Sequence, residues 1–121
     1  MKLPTRKESS IYKPALEWLN LQPGTKAWRS SNHAVYDPYG GKFRKKAKHE
    51  LGLPDICGVK MIYCGKRHVG QAFAIECKRS GKLAQISPFQ KAWMEDFVSR
   101  CAGVAYTADS LDDIMELWKE I

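Results

Sequence analysis

Three residues of this sequence have types and spacings suited to hydrolytic chemistry: Asp55 in Gly52-Leu53-Pro54-Asp55, and Glu76 and Lys78 in Phe73-Ala74-Ile75-Glu76-Cys77-Lys78. Side chains alternate faces along a strand, so Glu76 and Lys78 project together, about 7 Å apart at the backbone. Phe73, Ile75 and Cys77 face the other way. If the run ending at Lys78 folds back antiparallel on the run starting at Asp55, all three side chains meet. Two carboxylates beside a lysine suit metal-assisted hydrolysis of a phosphodiester. Carboxylate oxygens are hard ligands for Mg2+ or Mn2+ and leave coordination positions for water and a phosphate oxygen. The ammonium can orient the attacking water and offset charge growing on the phosphate. Taken singly, Asp55 reads as a turn residue after proline, and Glu76 with Lys78 as an exposed pair contributing under about 1 kcal/mol. Only their convergence favours a site.

Gln90, Glu8 and Glu17 are secondary candidates. Ser87-Pro88-Phe89-Gln90 reads as a helix start with a serine N-cap, proline at N1 and glutamine closing a capping box. Capping alone would therefore explain Gln90. Glu8 precedes a helix, where an acid is electrostatically favoured without any catalytic duty. Glu17, on that helix, is the rival carboxylate.

The elements that must position these residues follow from hydrophobic period. Ile11, Ala15, Leu16, Trp18 and Leu19 recur at helical spacing, and Gln22-Pro23-Gly24 stops them. Pro14 is comfortable only in a first turn, so the regular helix is expected to start between Ser10 and Lys13. The segment from Lys26 to Tyr36 reads as one strand ending at Asp37-Pro38. From Tyr39 to Leu53, Gly40-Gly41 and five cations read as a mobile basic loop. Ile56 to Tyr63 and Gln71 to Lys78 form a predicted hairpin across Gly65 to Gly70. Phe89, Trp93, Phe97 and Cys101 fall four apart on an amphipathic helix closed by Gly103. Val104 to Thr107 is a short strand, and Asp109-Ser110 caps a last helix carrying Leu111, Ile114, Met115, Leu117 and Trp118. The order αβββαβα, in one domain over residues 1–121, predicts an α/β fold with a mixed four-stranded sheet flanked by helices.

Composition narrows the partners. The 121 residues carry a formal charge of +7, which favours a polyanion. No apolar run suits a signal peptide or a membrane span, so no membrane partner is expected and the chain should stay in the compartment where it is made. Cys57, Cys64, Cys77 and Cys101 lack zinc-finger spacing and read as reduced, mostly buried thiols. No organic cofactor is implied.

Gly52-Leu53-Pro54-Asp55, Ile75-Glu76-Cys77-Lys78, Gly81-Lys82-Leu83 and Ser87-Pro88-Phe89-Gln90, in that order, resemble the VRR-NUC (virus-type replication-repair nuclease) family of the PD-(D/E)XK superfamily. Glu8-Ser9-Ser10-Ile11 resembles its opening acidic motif, Trp28-Arg29-Ser30-Ser31-Asn32 its second element, and Val104 through Ile114 its closing strand and turn. The resemblance implies a restriction-endonuclease-like core and a DNA endonuclease acting in replication, recombination or repair. It also implies Mg2+ or Mn2+ on Asp55, Glu76 and the Cys77 carbonyl. Lys78 would be the catalytic lysine, Gln90 a positioning residue and Glu8 the helix-one acid. DNA contacts are expected from Arg29, Lys42, Arg44, Lys45, Lys46, Lys48, Arg79 and Lys82. Likeness to free-standing viral members implies a homodimer cutting branched, four-way (Holliday-type) junctions in the cytoplasm, that of the host if the protein is viral. The alternatives are a DNA-binding module that does not cleave and a restriction-type nuclease on the same core. Binding alone would not need Asp55, Glu76 and Lys78. Sequence reading would need base contacts, for which only Asp37 to His49 is available.

Overall fold

Successive side chains of each strand point to opposite faces of one sheet, and the helices divide between those faces. The computed structural model describes residues 9–30, 35–37, 42–44, 52–78 and 86–121. Its elements are α1 (Ser9–Leu21), β1 (Thr25–Arg29), β2 (Val35–Asp37), β3 (Lys42–Arg44), β4 (Ile56–Cys64), β5 (Arg67–Cys77), α2 (Pro88–Cys101), β6 (Val104–Ala108) and α3 (Leu111–Glu120). The fold is α/β. A mixed sheet in the order β1-β4-β5-β6 has β6 parallel to β5 and the other pairs antiparallel. β2 and β3 form a separate antiparallel pair.

One face of the sheet makes the core. Ala27, Ile56, Phe73, Ile75, Cys77 and Ala108 are buried with Ile11, Ala15 and Leu19 of α1 and Ile114 of α3. Each fully buried Ile, Leu or Phe contributes about 1.5–3 kcal/mol. Trp118 of α3 closes this layer. Its ring meets Trp18 edge-on at 5.8 Å, and its Nε1–H donates to Thr25 Oγ1 at 2.8 Å. The Lys60 ammonium sits 3.9 Å above the Trp118 ring and donates to its carbonyl at 2.6 Å. Burial pushes the Lys60 pKa down.

The opposite face carries Asp55, Cys57, Val59, Met61 and Tyr63 along β4, Ala72, Ala74 and Glu76 along β5, and Ala105 and Thr107 along β6. Helix α2 covers part of it. Met94, Glu95, Val98 and Ser99 of α2 and Ala105 of β6 line a groove of about 470 Å³ between them.

Several expectations change here. The single strand expected over 26–36 is two: β1 pairs with β4, whereas β2 turns away to β3. Lys42 and Arg44, expected in a loop, lie on strand β3. Helix α1 runs unbroken from Ser9 with Pro14 inside it. An interior proline costs about 3 kcal/mol, which the burial of Ile11, Ala15 and Leu19 on one stripe offsets. The hairpin turn is only Gly65-Lys66, with Gly65 at φ 66°, the positive-φ first position of a II′ turn. Cys64 and Cys101 are exposed rather than buried, the first beside this turn and the second at the end of α2. Phe89 is 60% exposed, because α2 buries no residue fully.

Helix α2 ends on Ala102, not on the glycine after it. Ala102 takes the left-handed conformation, φ 54°, and its N–H donates to Phe97 O. Gly103 lies against the Phe97 ring, where a Cβ would come within 2.1 Å of Cε1. A non-glycine residue in the left-handed region costs about 1–2 kcal/mol. Ala102→Gly is therefore expected to stabilise the fold by about 1 kcal/mol, less any gain in unfolded-chain entropy. Denaturant unfolding would show a higher midpoint at unchanged slope. A lower midpoint would contradict the strain assigned to Ala102.

Candidate active site

The β4–β5 hairpin brings the three chemical residues together, as its spacing requires. Ile56 faces Ile75 in the antiparallel ladder, so Asp55, just before β4, stands beside Glu76. Asp55 Oδ2 accepts the buried Cys77 N–H at 2.8 Å, so its side chain continues the ladder one step past the strand. β5 stops at Cys77, but the Lys78 N–H donates to the Ala108 carbonyl at 2.8 Å and holds Lys78 to β6. Asp55 and Glu76 are buried, 8% and 3% exposed.

The Gln90 side chain links this pair to α2. Its Nε2–H donates to Glu76 Oε1 at 2.8 Å, and its Oε1 accepts from Lys78 Nζ at 3.0 Å. The same Oε1 accepts the Ser87 N–H at 3.0 Å, while Ser87 Oγ accepts the Gln90 N–H at 3.1 Å. The capping box and the cluster thus share one amide. The capping box expected from the sequence is present, and the same side chain also contacts Glu76 and Lys78. Lys78 Nζ also lies 3.8 Å from Glu76 Oε1, an ion pair mostly shielded from solvent. Ser87 was expected only as a cap, yet its N–H fixes which way the Gln90 amide points. The S-P-x-Q spacing carries that signal, because a capping box always directs the N3 side chain to the N-cap amide.

Gly52 sets the approach of the Asp55 segment to α2. It sits at φ 78°, and a Cβ there would come within 2.3 Å of the Phe89 carbonyl oxygen and 2.8 Å of the Gln90 nitrogen. Only glycine meets both demands, so the segment leading to Asp55 can pass close against the first turn of α2.

Other candidates fall elsewhere. The Arg29 guanidinium lies 4.2 Å from the Tyr12 ring centroid, on the α1 side of the sheet rather than with Asp55. Glu17 is exposed on α1, and no hydrogen bond or ion pair joins it to Asp55, Glu76 or Lys78. Glu8, Lys45, Lys46, Lys48, Arg79 and Lys82 lie outside the described residues, as do the side chains of Lys42 and Arg44. Cys57 shares the Asp55 face and accepts from Ser30 Oγ at 2.9 Å. Burial pushes its thiol pKa up, and the Ser30 hydroxyl opposes that in part.

The donor set suits a hard divalent cation. Among the described residues no three His, Cys, Asp or Glu side chains group into a metal site. Mg2+ needs fewer, since it is commonly bound by one or two carboxylates and keeps several waters. Two adjacent buried carboxylates also favour a cation, because burying like charges together is costly.

Gln90→Ala is expected to slow any reaction at this site by about 10–100-fold, the usual cost of losing a residue that orients a ligand. It should also cost about 1 kcal/mol of stability through the broken cap. Rate assays beside thermal melts would separate the two. A stability loss with an unchanged rate would reduce Gln90 to a cap.

Among the described residues no helix is long and apolar enough to cross a membrane. No family model, no curated protein and no solved structure matches this chain.

Proposed function

We propose that the chain is a Mg2+- or Mn2+-dependent DNA endonuclease built on a PD-(D/E)XK core of the VRR-NUC kind. The observation that supports it most is the chain of contacts from Glu76 through Gln90 to Lys78, beside Asp55 on one face of the sheet. A counter-ion pair alone would not need a third residue to set both partners' orientation.

Asp55, Glu76 and the Cys77 carbonyl would hold the metal. When bound, it supplies Lewis acidity toward a phosphate oxygen and lowers the pKa of water. Lys78, aimed by Gln90, presents a point charge to the scissile phosphate and orients the attacking water. Gln90 keeps Glu76 Oε1 in place, and the Cys77 N–H does the same for Asp55. The net charge of +7 favours the polyanionic substrate.

We extend the reading to branched DNA and a homodimer, since two symmetric cuts in a four-way junction call for two related sites. The aromatic pair Trp18 and Trp118 packs internally, which leaves α2 as the more exposed helical surface for such a contact. The direct experiment offers linear duplex, single strand, flap and four-way junction with Mg2+ or Mn2+, then with excess chelator. Cleavage is expected only with metal, and persistence under exhaustive chelation would sink the mechanism. Light scattering with and without junction tests the dimer. A monomer in both samples would refute it.

A further inference from the structure

Helix α2 covers the β5–β6 side of the face that carries Asp55, and among the described residues no helix covers the β1–β4 side. There Trp28 is 48% exposed, Val59 38%, Met61 51% and Tyr63 66%. The register sets Trp28 beside Cys57 and Lys26 beside Val59, so all of these share the Asp55 face. Tyr63 lies opposite His68, and their rings meet at 5.4 Å. From Cys57 to Tyr63 is six steps along the strand, about 20 Å. A track of exposed apolar and aromatic side chains thus leads from the carboxylate cluster to the hairpin tip. Along it β4 and β1 contribute the cation Lys26 and, beyond Asp55, no carboxylate.

We propose that this open strip binds an unpaired segment of the nucleic-acid substrate, with bases stacked on Trp28 and on Tyr63 beside His68. The proposal rests on the nuclease reading, and it narrows the branched substrate to one with a single-stranded stretch next to the cut, such as a flap or a junction with an opened arm. Exposed apolar strips of this kind mark interaction sites. Two features favour a nucleic-acid strand over a second copy of the chain. The strip is continuous with the carboxylate–lysine cluster, and beyond the buried Asp55 its β1 and β4 residues offer no carboxylate that a second copy could set against Lys26. Aromatic rings interleaved with a cation suit bases and phosphates in alternation. The length accommodates about four nucleotides, the lower end of single-strand site sizes.

The test measures fluorescence anisotropy of a labelled oligothymidylate and a labelled blunt duplex with the full chain, in chelator so that nothing is cut. Trp28→Ala and Tyr63→Ala are each expected to weaken the single strand about tenfold, with far less effect on the duplex. Trp28→Phe, which keeps a stacking ring, should recover most of the loss. Circular dichroism confirms that the variants fold. Equal weakening of both ligands, or normal binding of the single strand, overturns the proposal. So does a Trp28→Ala variant that turns a dimer into a monomer in sedimentation, since the strip would then be a self-association surface. Wild-type cleavage with metal separates the two levels. Cleavage with single-strand binding indifferent to Trp28 refutes the strip alone. Single-strand binding that needs Trp28, without cleavage of any substrate, refutes the nuclease reading and leaves the strip standing.

Discussion

Asp55→Asn and Glu76→Gln are each expected to reduce metal-dependent cleavage by about 10³-fold or more, some 4 kcal/mol of transition-state stabilisation, with the fold intact. Shape and hydrogen bonding change little. An asparagine oxygen can still accept the Cys77 N–H, and a glutamine oxygen at position 76 can still accept the Gln90 amide. What each variant removes is one negative charge from the pair that would hold the metal. Without metal, Asp55→Asn also relieves repulsion between two buried carboxylates and should melt no earlier than wild type in chelator, whereas Glu76→Gln also takes from Lys78 the counter-ion 3.8 Å away and should melt earlier than Asp55→Asn. With metal the order reverses. A ligand that binds only the folded state raises its stability, so Mn2+ should lift the wild-type melting temperature and leave the variants nearly unmoved. The double variant should be little slower than the worse single one, because residues acting as a unit are not additive. Normal cutting by both single variants would place the site elsewhere. Equal stabilisation of wild type and variants by Mn2+ would remove Asp55 and Glu76 as ligands.

The parts of this molecule legible in the sequence are those with long periodic signals. Helix α1 shows its stripe through Ile11, Ala15 and Leu19. The β4–β5 hairpin shows two runs with a turn between them, and that pairing alone was enough to bring Asp55 to Glu76 and Lys78. β2 and β3 were not legible because three residues hold too little alternation to register. Pro14 misled for the opposite reason: its local cost is real, but packing of the stripe outweighs it. Ala102 carried no signal, since a left-handed alanine is tolerated only by the surrounding contacts. The double duty of Gln90 could not be resolved from sequence, because a capping box and an orienting amide require the same residue at the same place. Which half of the sheet face α2 would leave open depends on helix placement, and no periodicity encodes that.

Lys78→Met is expected to lower the single-turnover rate by about 10²–10³-fold, the usual cost of removing one group that stabilises transition-state charge, while metal binding persists. Methionine keeps the apolar stem and deletes the ammonium. Gln90 Oε1 still accepts the Ser87 N–H, so the amide keeps its orientation and Glu76 keeps its donor. Any fall in rate therefore reports the charge rather than a disordered neighbour. Glu76 does lose the cation 3.8 Å away, so the variant should be less stable in chelator and regain stability with Mn2+. That pattern opposes the one expected for Asp55→Asn, which gains nothing from the metal. Lys78→Arg should rescue poorly, because a planar fork cannot occupy the place of a compact point charge accepted by a single amide oxygen. Single-turnover rates at saturating metal, with melts in chelator and in Mn2+, decide the matter. Cleavage by Lys78→Met within tenfold of wild type would make the lysine a counter-ion to Glu76 only, and the charge on the phosphate would have to be met by another group.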